Sequence, residues 1–600
     1  MQLLGHSILD FLVEKKVKHV FVLTGGAISF VLDCFDKRKD IEYICVAHEQ
    51  SAAMMADAYS RSGKGFASTM VTSGPGATNL ITGICCSWFD SIPNIHICGQ
   101  VNQFEIKENK FSTKNCRQIG FQETNIINIS KEFTKKSIQL KKSKNVNETL
   151  HFLYNHATTG RPGPVLLDIP IDLQKEKLIK VETQTLKTKK ILKKDLQLET
   201  KIKKLLSYLE SSKRPVIIAG GGIRISKSED LFYKFINRLN IPIVSTWSGF
   251  DLLDFNHKNY FNTIGVYGHR SSNFIVQNSD LIICLGSRLD TRITGGNPKS
   301  FAREAKMAVI DIDTNELNKK RGLNIKLKIN NDINDFLKVF FNITKNKSFK
   351  FDLSNWIHKC NVWKKDFSFE SERTFKTPKI NAYHFIETLS DVLDQKSIII
   401  PDDGGHLTWT MQAFKIKKGQ RLFSAFGNSP MGYSLPAAIG ASIANPKRTI
   451  VAIDGDGSIQ INIQELVLVK NRNLNIKIFI IDNNGYGIIK QFQSLYMNKR
   501  YIASDQGLPN PDLISIAKAY KINTHVLKYN KDLKKKLKKI INLKGPQFTL
   551  VKIDKNQIIE PKLEFGKPIE EVSPELNKAV FKKNMIIKPF VNSKKNQEIN

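Results

Sequence analysis

The sequence predicts an α/β protein built from three doubly wound, parallel-sheet domains. Short apolar runs recur along the chain, each ending in a turn rich in glycine, serine or aspartate and each followed by a helix-length segment. Buried parallel strands with crossover helices read this way. The runs fall into three blocks separated by polar joints, and 600 residues is the length of three ordinary domains with ample core.

The first block, residues 1–180, opens with a run at 20–23 ending in Thr24-Gly25-Gly26-Ala27 and a second at 41–46 ending in Ala47-His48-Glu49-Gln50-Ser51. A third run, 67–72, leads into Ser73-Gly74-Pro75-Gly76-Ala77-Thr78-Asn79, a strand–turn–helix whose glycines admit close approach by a ligand or by backbone. The block closes on a run at 165–169, and a lysine-rich connector spans 175–200. The second block, 195–345, starts with 215–219 followed by Gly220-Gly221-Gly222 and continues through runs at 241–246, 280–286 and 307–311. Triple glycine after a strand can seat a phosphate at a helix N-terminus, but the Gly-x-Gly-x-x-Gly dinucleotide spacing is absent. After a joint at 345–375, the third block, 375–555, has runs at 448–454 and 476–481 flanking a crossover helix at 464–471. Residues 556–600 read as an irregular tail that covers a surface.

Lysine and arginine number 91 against 56 aspartates and glutamates, a formal charge of +35. The lysines scatter over 131–144, 175–194 and 528–544 without zinc-finger spacing, an RNA-recognition motif or arginine–aromatic interleaving. A solvated lysine-rich surface is therefore expected, with no nucleic-acid partner, although its field still attracts acidic substrates and cofactors. Eight cysteines, without a Cys-x-x-Cys pair and mostly in apolar contexts, read as reduced core thiols. No apolar run reaches 18 residues and the first ten residues lack a charged region before an apolar core, so no membrane span or secretory signal is expected and the location reads as cytoplasmic.

The chemistry concentrates in Gly455-Asp456-Gly457-Ser458 and Asp482-Asn483-Asn484-Gly485-Tyr486-Gly487, each at the carboxyl end of an expected strand. Asp456 and Asn483 stand 27 positions apart. One carboxylate and one amide are hard oxygen ligands that suit Mg²⁺ shared with a diphosphate, and the glycines let backbone N–H groups approach phosphate oxygens. A lone Gly-Asp-Gly marks ordinary turns; paired with Asn-Asn at this spacing it resembles the cofactor signature of thiamine-diphosphate enzymes. The resemblance extends over almost the whole chain, to the acetolactate synthase branch, through the Glu49 and Gly74 turns, Ser91-Ile92-Pro93, Gly99-Gln100-Val101, Phe121-Gln122-Glu123-Thr124 and Gly160-Arg161-Pro162-Gly163-Pro164.

The resemblance implies a pyrimidine-binding, a central and a diphosphate-binding domain, and decarboxylation of a 2-keto acid, first of all pyruvate, followed by carboligation to a second keto compound. It makes Glu49 the carboxyl group that hydrogen-bonds the aminopyrimidine, with Gly74, Pro75 and Asn79 beside it. His48 is left out of the catalytic set, as a residue that packs or hydrogen-bonds at the strand end. Met431 matches the side chain wedged beneath the bent cofactor, and Gly404, Gly405 and His406 match the loop that contacts diphosphate. Asp456, Asn483 and the Gly485 carbonyl become the Mg²⁺ ligands, while Gly455, Gly457, Ser458, Tyr486 and Gly487 complete the diphosphate loops. Gly25, Gly26, Phe121 and Gln122 line the reaction chamber, Gln122 as a donor to developing alkoxide, with Lys141 as a channel lysine and Phe492 against the acceptor. FAD stays open for the central domain, through Gly220 to Gly222, Gly265, Gly268, Asn273, Gly286, Arg288, Asp290 and Arg292; these glycines equally serve tight strand–helix packing. A homodimer or homotetramer is implied. Gly405 and Phe492 depart from the glutamine and tryptophan usual in acetolactate synthases, which leaves open a nucleotide-linked ketosugar acceptor or plain 2-keto acid decarboxylation.

Overall fold

The computed structural model describes residues 2–107, 116–178, 196–349, 351–368 and 378–590. Three six-stranded, all-parallel sheets follow one another along the chain. In the N-terminal sheet the order is Glu42–Cys45, His19–Leu23, Ser68–Val71, Ile95–Gln100, Val165–Pro170, Lys136–Gln139. In the C-terminal sheet it is Arg421–Leu422, Ile398–Pro401, Ile450–Gly455, Ile476–Asp482, Gln547–Lys552, Asn523–Leu527. Numbered within each sheet, both orders are 2-1-3-4-6-5, so the two outer domains share one topology. The central sheet runs Tyr260–Thr263, Ile243–Ser245, Pro215–Ala219, Leu281–Leu285, Lys306–Asp311, Ile325–Asn330, the 3-2-1-4-5-6 order of doubly wound nucleotide-binding folds.

The apolar runs form strands within a residue or two of their expected limits because both faces of each sheet are covered. Ile450–Gly455 and Ile476–Asp482 are buried along their whole length. The expected crossover helix at 464–471 is shorter: a single 3₁₀ turn, Ile463–Glu465, precedes helix Leu466–Asn471. Much of the expected 175–200 connector lies outside the described residues. The 345–375 joint, described only in part, contains helix Ser354–Asp366, whose Trp356 and Trp363 enter the central core.

The outer domains share a core. Helix Glu49–Tyr59 packs its alanines against the alanine-rich helix Ser434–Ala444, and one apolar cluster runs through both. The approach is so close that a Cβ on Gly440 would stand 2.2 Å from the Met55 carbonyl oxygen. The tail packs on the central domain and carries a short helix, Lys578–Asn584. It buries Leu563, Ile569, Val572 and Ile587, Arg270 donates to the Val572 carbonyl at 3.0 Å, and Arg303 pairs with Glu570 at 2.8 Å. All eight cysteines are free thiols, six of them buried. No described helix is long and apolar enough to cross a membrane.

Candidate active site

In open parallel sheets, ligands bind beyond the carboxyl ends of the strands where the winding reverses. In both outer domains that point lies between the first and third strands of the sheet. In the N-terminal domain it is flanked by the Gly25 and Gly74 turns; in the C-terminal domain by the Gly404 and Gly455 turns.

In the C-terminal half, Asp456 follows its strand with 4 % exposure. Its Oδ1 accepts the Gly457 N–H and its Oδ2 the Gly485 N–H, both at 3.1 Å, so one carboxyl group ties the two expected loops together. Burial, aided by repulsion from Asp482, pushes the Asp456 carboxyl up to about 7; a divalent cation alongside would hold it ionised. Asn483 lies against Gly487, where a Cβ would come within 2.3 Å of its Nδ2. Gly485 sits at φ +152° with its Cα side against the Ser504 carbonyl, and the Tyr486 ring covers Gly457, where a Cβ would meet Cε1 at 2.2 Å. These three glycines are therefore required by close approach. His406 is buried between Gly404 and Gly455, and its Nε2 has no hydrogen-bond partner. Burial pulls the imidazole down to about 3, leaving a neutral ring with a free nitrogen beside the glycine turns. With its proton on Nε2, the ring would offer an unspent donor to a diphosphate oxygen.

Sequence reasoning passed over Asp402 and Asp454, which hold this half together. Their carboxylates and His406 offer ligand atoms within 4.8 Å of one another, a constellation that could suit a metal. Each of the carboxylate oxygens also accepts a hydrogen bond from a neighbouring turn. Asp402 accepts the Ser434 N–H at 2.7 Å and the Gly432 N–H at 2.8 Å; Asp454 accepts the Ser434 hydroxyl at 2.6 Å, the Gly455 N–H at 2.8 Å and the Ser458 hydroxyl. They are scaffolding for the Met431 and Gly455 turns. Burial raises both carboxyls, Asp454 to about 6. The available signal was two acidic residues in apolar strand ends, where an unpaired charge is costly. Met431 itself is half-buried, and Gly405 stacks on the Trp409 ring.

In the N-terminal half, Glu49 is the first residue of its helix and 7 % exposed. Asn79 Nδ2 donates to Oε2 at 3.0 Å, and Oε1 faces Gly76, where a Cβ would stand 3.5 Å away. His48 is the N-cap, its Nδ1 accepting the Gln50 N–H at 3.1 Å. Gly74, at φ +61°, meets Gln122, itself left-handed at φ +65°. Gly25 abuts Thr72, Gly26 faces open space and Pro75 is exposed at the start of its short helix. The turn from Gly74 to Gly76 thus touches Gln122 at one end and Glu49 at the other. Phe121 points outward, 85 % exposed, and Lys141 is exposed with its Nζ on Gln139. Phe492 is half-buried in an aromatic group with Tyr496 at 5.0 Å and the tail's Phe565 at 5.8 Å.

The halves touch within one chain through Ala47 N–H to Glu465 at 3.1 Å and the Ser51 hydroxyl to Asn462 at 3.1 Å. Among the described residues, no hydrogen bond or ion pair joins Glu49 or Asn79 to Asp456 or Asn483.

In the central domain the glycines are used internally. A Cβ on Gly220 would stand 2.2 Å from the Gly286 carbonyl oxygen, and Gly222 and Gly286 press on each other. Asn273 bonds the Gly265 N–H, the Gly265 carbonyl and the Ile569 carbonyl; Arg292 stacks over Trp247 at 4.6 Å, and Arg288 lies 3.6 Å from Asp290. The glycines and Asn273 serve packing, whereas Arg292 Nη1 is buried without a hydrogen-bond partner among the described residues, and no step is assigned to FAD.

Three family models match in order: the thiamine pyrophosphate enzyme N-terminal TPP binding domain over residues 3–126, the central domain over 202–340 and the C-terminal TPP binding domain over 402–553. Among curated proteins, the acetolactate synthase large subunit of Cyanidium caldarium is 34 % identical over 550 residues, 90 % of this chain and 91 % of its own. That of Lactococcus lactis is 31 % identical over 567 residues, 94 % and 95 % of the two chains. A probable acetolactate synthase large subunit of Methanococcus aeolicus is 30 % identical, covering 99 % of this chain and 100 % of its own. The order of domains, the two matched halves and these relatives lead to one conclusion: the chain belongs to the thiamine pyrophosphate enzymes, in the acetolactate synthase branch.

Proposed function

We propose that the protein decarboxylates a 2-keto acid, pyruvate first of all, and joins the two-carbon unit that remains to a second keto compound. Thiamine diphosphate, when bound, supplies the electron sink for decarboxylation. The residues fit it: Asp456, Asn483 and the Gly485 carbonyl would take Mg²⁺; His406, Gly455, Gly457, Ser458, Tyr486 and Gly487 would line the diphosphate, with Gly404 and Gly405. Met431 would support the bend, and Gly74, Pro75 and Asn79 would border the pyrimidine.

Glu49 carries the reading. One oxygen of this buried carboxyl group is fixed by Asn79 and the other faces a bare glycine, which supports a role in holding a proton on a ring nitrogen. Gly25, Gly26 and Gln122 would form the chamber wall, Gln122 donating to oxygen where negative charge develops. Phe121 and Phe492 would face the substrates, and a site shared between two copies would make the protein a homodimer or homotetramer. Because Phe492 lies in an open aromatic group with Tyr496 and Phe565, a bulkier acceptor such as a nucleotide-linked ketosugar is the second reading.

Incubation of purified protein with pyruvate, thiamine diphosphate and Mg²⁺, with 2-ketobutyrate or nucleotide-linked ketosugars as competing acceptors, tests this by mass spectrometry of the products. A carboligated product that requires both cofactors is expected. Release of free aldehyde alone would make the protein a simple decarboxylase, and no cofactor-dependent turnover would remove the reading.

A further inference from the structure

Residues 423–431 link the edge strand Arg421–Leu422 to helix Ser434–Ala444 and end at Met431. They form no helix or strand, so their course is set by tethers, and several of these come from the N-terminal domain. The Gly427 N–H donates to Asp90 Oδ1 at 2.9 Å, Arg61 Nη1 donates to the Ser424 carbonyl at 2.8 Å, and Asn428 Nδ2 donates to the Thr82 carbonyl at 3.3 Å. A Cβ on Gly427 would stand 2.5 Å from Phe89 Cβ and 2.9 Å from Asp90 Oδ1, so the segment's backbone presses on the end of helix Ile81–Asp90.

The tethering side chains belong to one buried cluster. Arg61 Nη1 also donates to Asp90 Oδ2 at 3.0 Å, and its Nη2 donates to Asp57 Oδ1 at 2.9 Å. The hydroxyl of Tyr433, two residues beyond Met431, donates to Asp57 Oδ2. Asp57 and Tyr433 are fully buried. At the segment's other end, Arg421 donates to the Arg61 carbonyl at 3.0 Å and pairs with Asp251 of the central domain at 2.8 Å. Two carboxylates buried around one guanidinium are a poor source of stability, because desolvation offsets the attraction. What the cluster does provide is direction: it fixes both flanks of Met431 to a different domain.

We infer that Asp90, acting through Gly427 and Arg61, is a positioning residue for Met431 and so for the cofactor bend. This rests on the thiamine diphosphate reading given above. Misplacement of a supporting group by about 1 Å can cost on the order of 100-fold in rate without loss of binding, since binding resides in other contacts.

The test compares Asp90→Ala, Asp90→Asn and Gly427→Ala with the parent for thiamine diphosphate affinity, kcat with pyruvate, and near-ultraviolet circular dichroism of the bound cofactor. Affinity is expected to stay within roughly threefold, because the Asp456 loops are untouched, while kcat falls roughly tenfold or more in Asp90→Ala and Gly427→Ala and the dichroic signal changes. Asp90→Asn retains an acceptor for the Gly427 N–H and should recover most of the rate. If Asp90→Ala does not fold, Gly427→Ala decides, since it displaces the segment with every ion in place. Folded variants with the parent's kcat and dichroism overturn the inference, whatever their melting temperatures. A parent without thiamine-diphosphate-dependent turnover overturns the functional reading and this inference with it; an active parent with indifferent variants overturns the inference alone.

Discussion

Asp456 and Glu49 are both buried carboxyl groups just beyond strand ends, and the proposed function gives them different work. Asp456 is bound by two loop N–H groups and raised by burial, the setting of a metal ligand; Glu49 has one oxygen fixed by an amide and the other facing a glycine. Asp456→Ala should therefore weaken cofactor binding, with partial rescue by excess Mg²⁺ and thiamine diphosphate, whereas Glu49→Gln should bind cofactor normally and turn over poorly. Calorimetric binding beside steady-state rates separates them, and equal rescue of both would contradict the assigned roles. Phe492 belongs to substrate choice: Phe492→Trp should change the ratio of pyruvate to 2-ketobutyrate as acceptor by roughly tenfold, since pocket shape is worth about 1–3 kcal/mol per methylene. An unchanged ratio in a folded variant would make the ring mere packing against Tyr496 and Phe565. The residues of the two motifs were legible in the sequence because the chemistry needs them at short, fixed spacings. Asp402, Asp454 and the Asp57–Arg61–Asp90–Tyr433 cluster were not, since each acts on a partner far along the chain that only the fold brings near.

Among the elements, the strands were read to within a residue or two because burial on both faces writes an unbroken apolar run, while the crossover after Asp456 was read too long because its first turn is a separate 3₁₀ piece. A polar residue inside such a strand then needs a reason. Asp168, in Val165–Pro170, accepts the amides of Gln139 at 2.9 Å and Gln100 at 3.2 Å, and burial pushes its carboxyl up to about 7 from an ordinary value of 3.8. A folded pKa above the unfolded one means the native state binds the proton more tightly. Its contribution to stability is complete below the unfolded value and is lost as pH rises from about 4 towards 7. Asp168→Asn, which cannot ionise, should raise the melting temperature relative to the parent more at pH 8 than at pH 5. Calorimetric melts at the two pH values measure this, and an equal shift at both would show that Asp168 is ionised throughout.

At the scale of the molecule, two domains of one topology share a core through Glu49–Tyr59 and Ser434–Ala444, and the third contacts both, through Asp313 with Arg161 at 3.0 Å and Asp251 with Arg421 at 2.8 Å. The proposed centre would be completed by a second copy, pairing Glu49 of one chain with Asp456 of the other. The most direct measurement mixes the two impaired variants, Glu49→Gln and Asp456→Ala, under conditions that exchange subunits and at cofactor concentrations too low to rescue Asp456→Ala, and assays thiamine-diphosphate-dependent consumption of pyruvate. A heterodimer of the two contains one site with native Glu49 from one chain and native Asp456 from the other, so activity should return, approaching about one quarter of the parent's for statistical mixing in which half the dimers carry one intact site of two. No recovery, with subunit exchange demonstrated, would place both residues of each site in a single chain and contradict the shared centre.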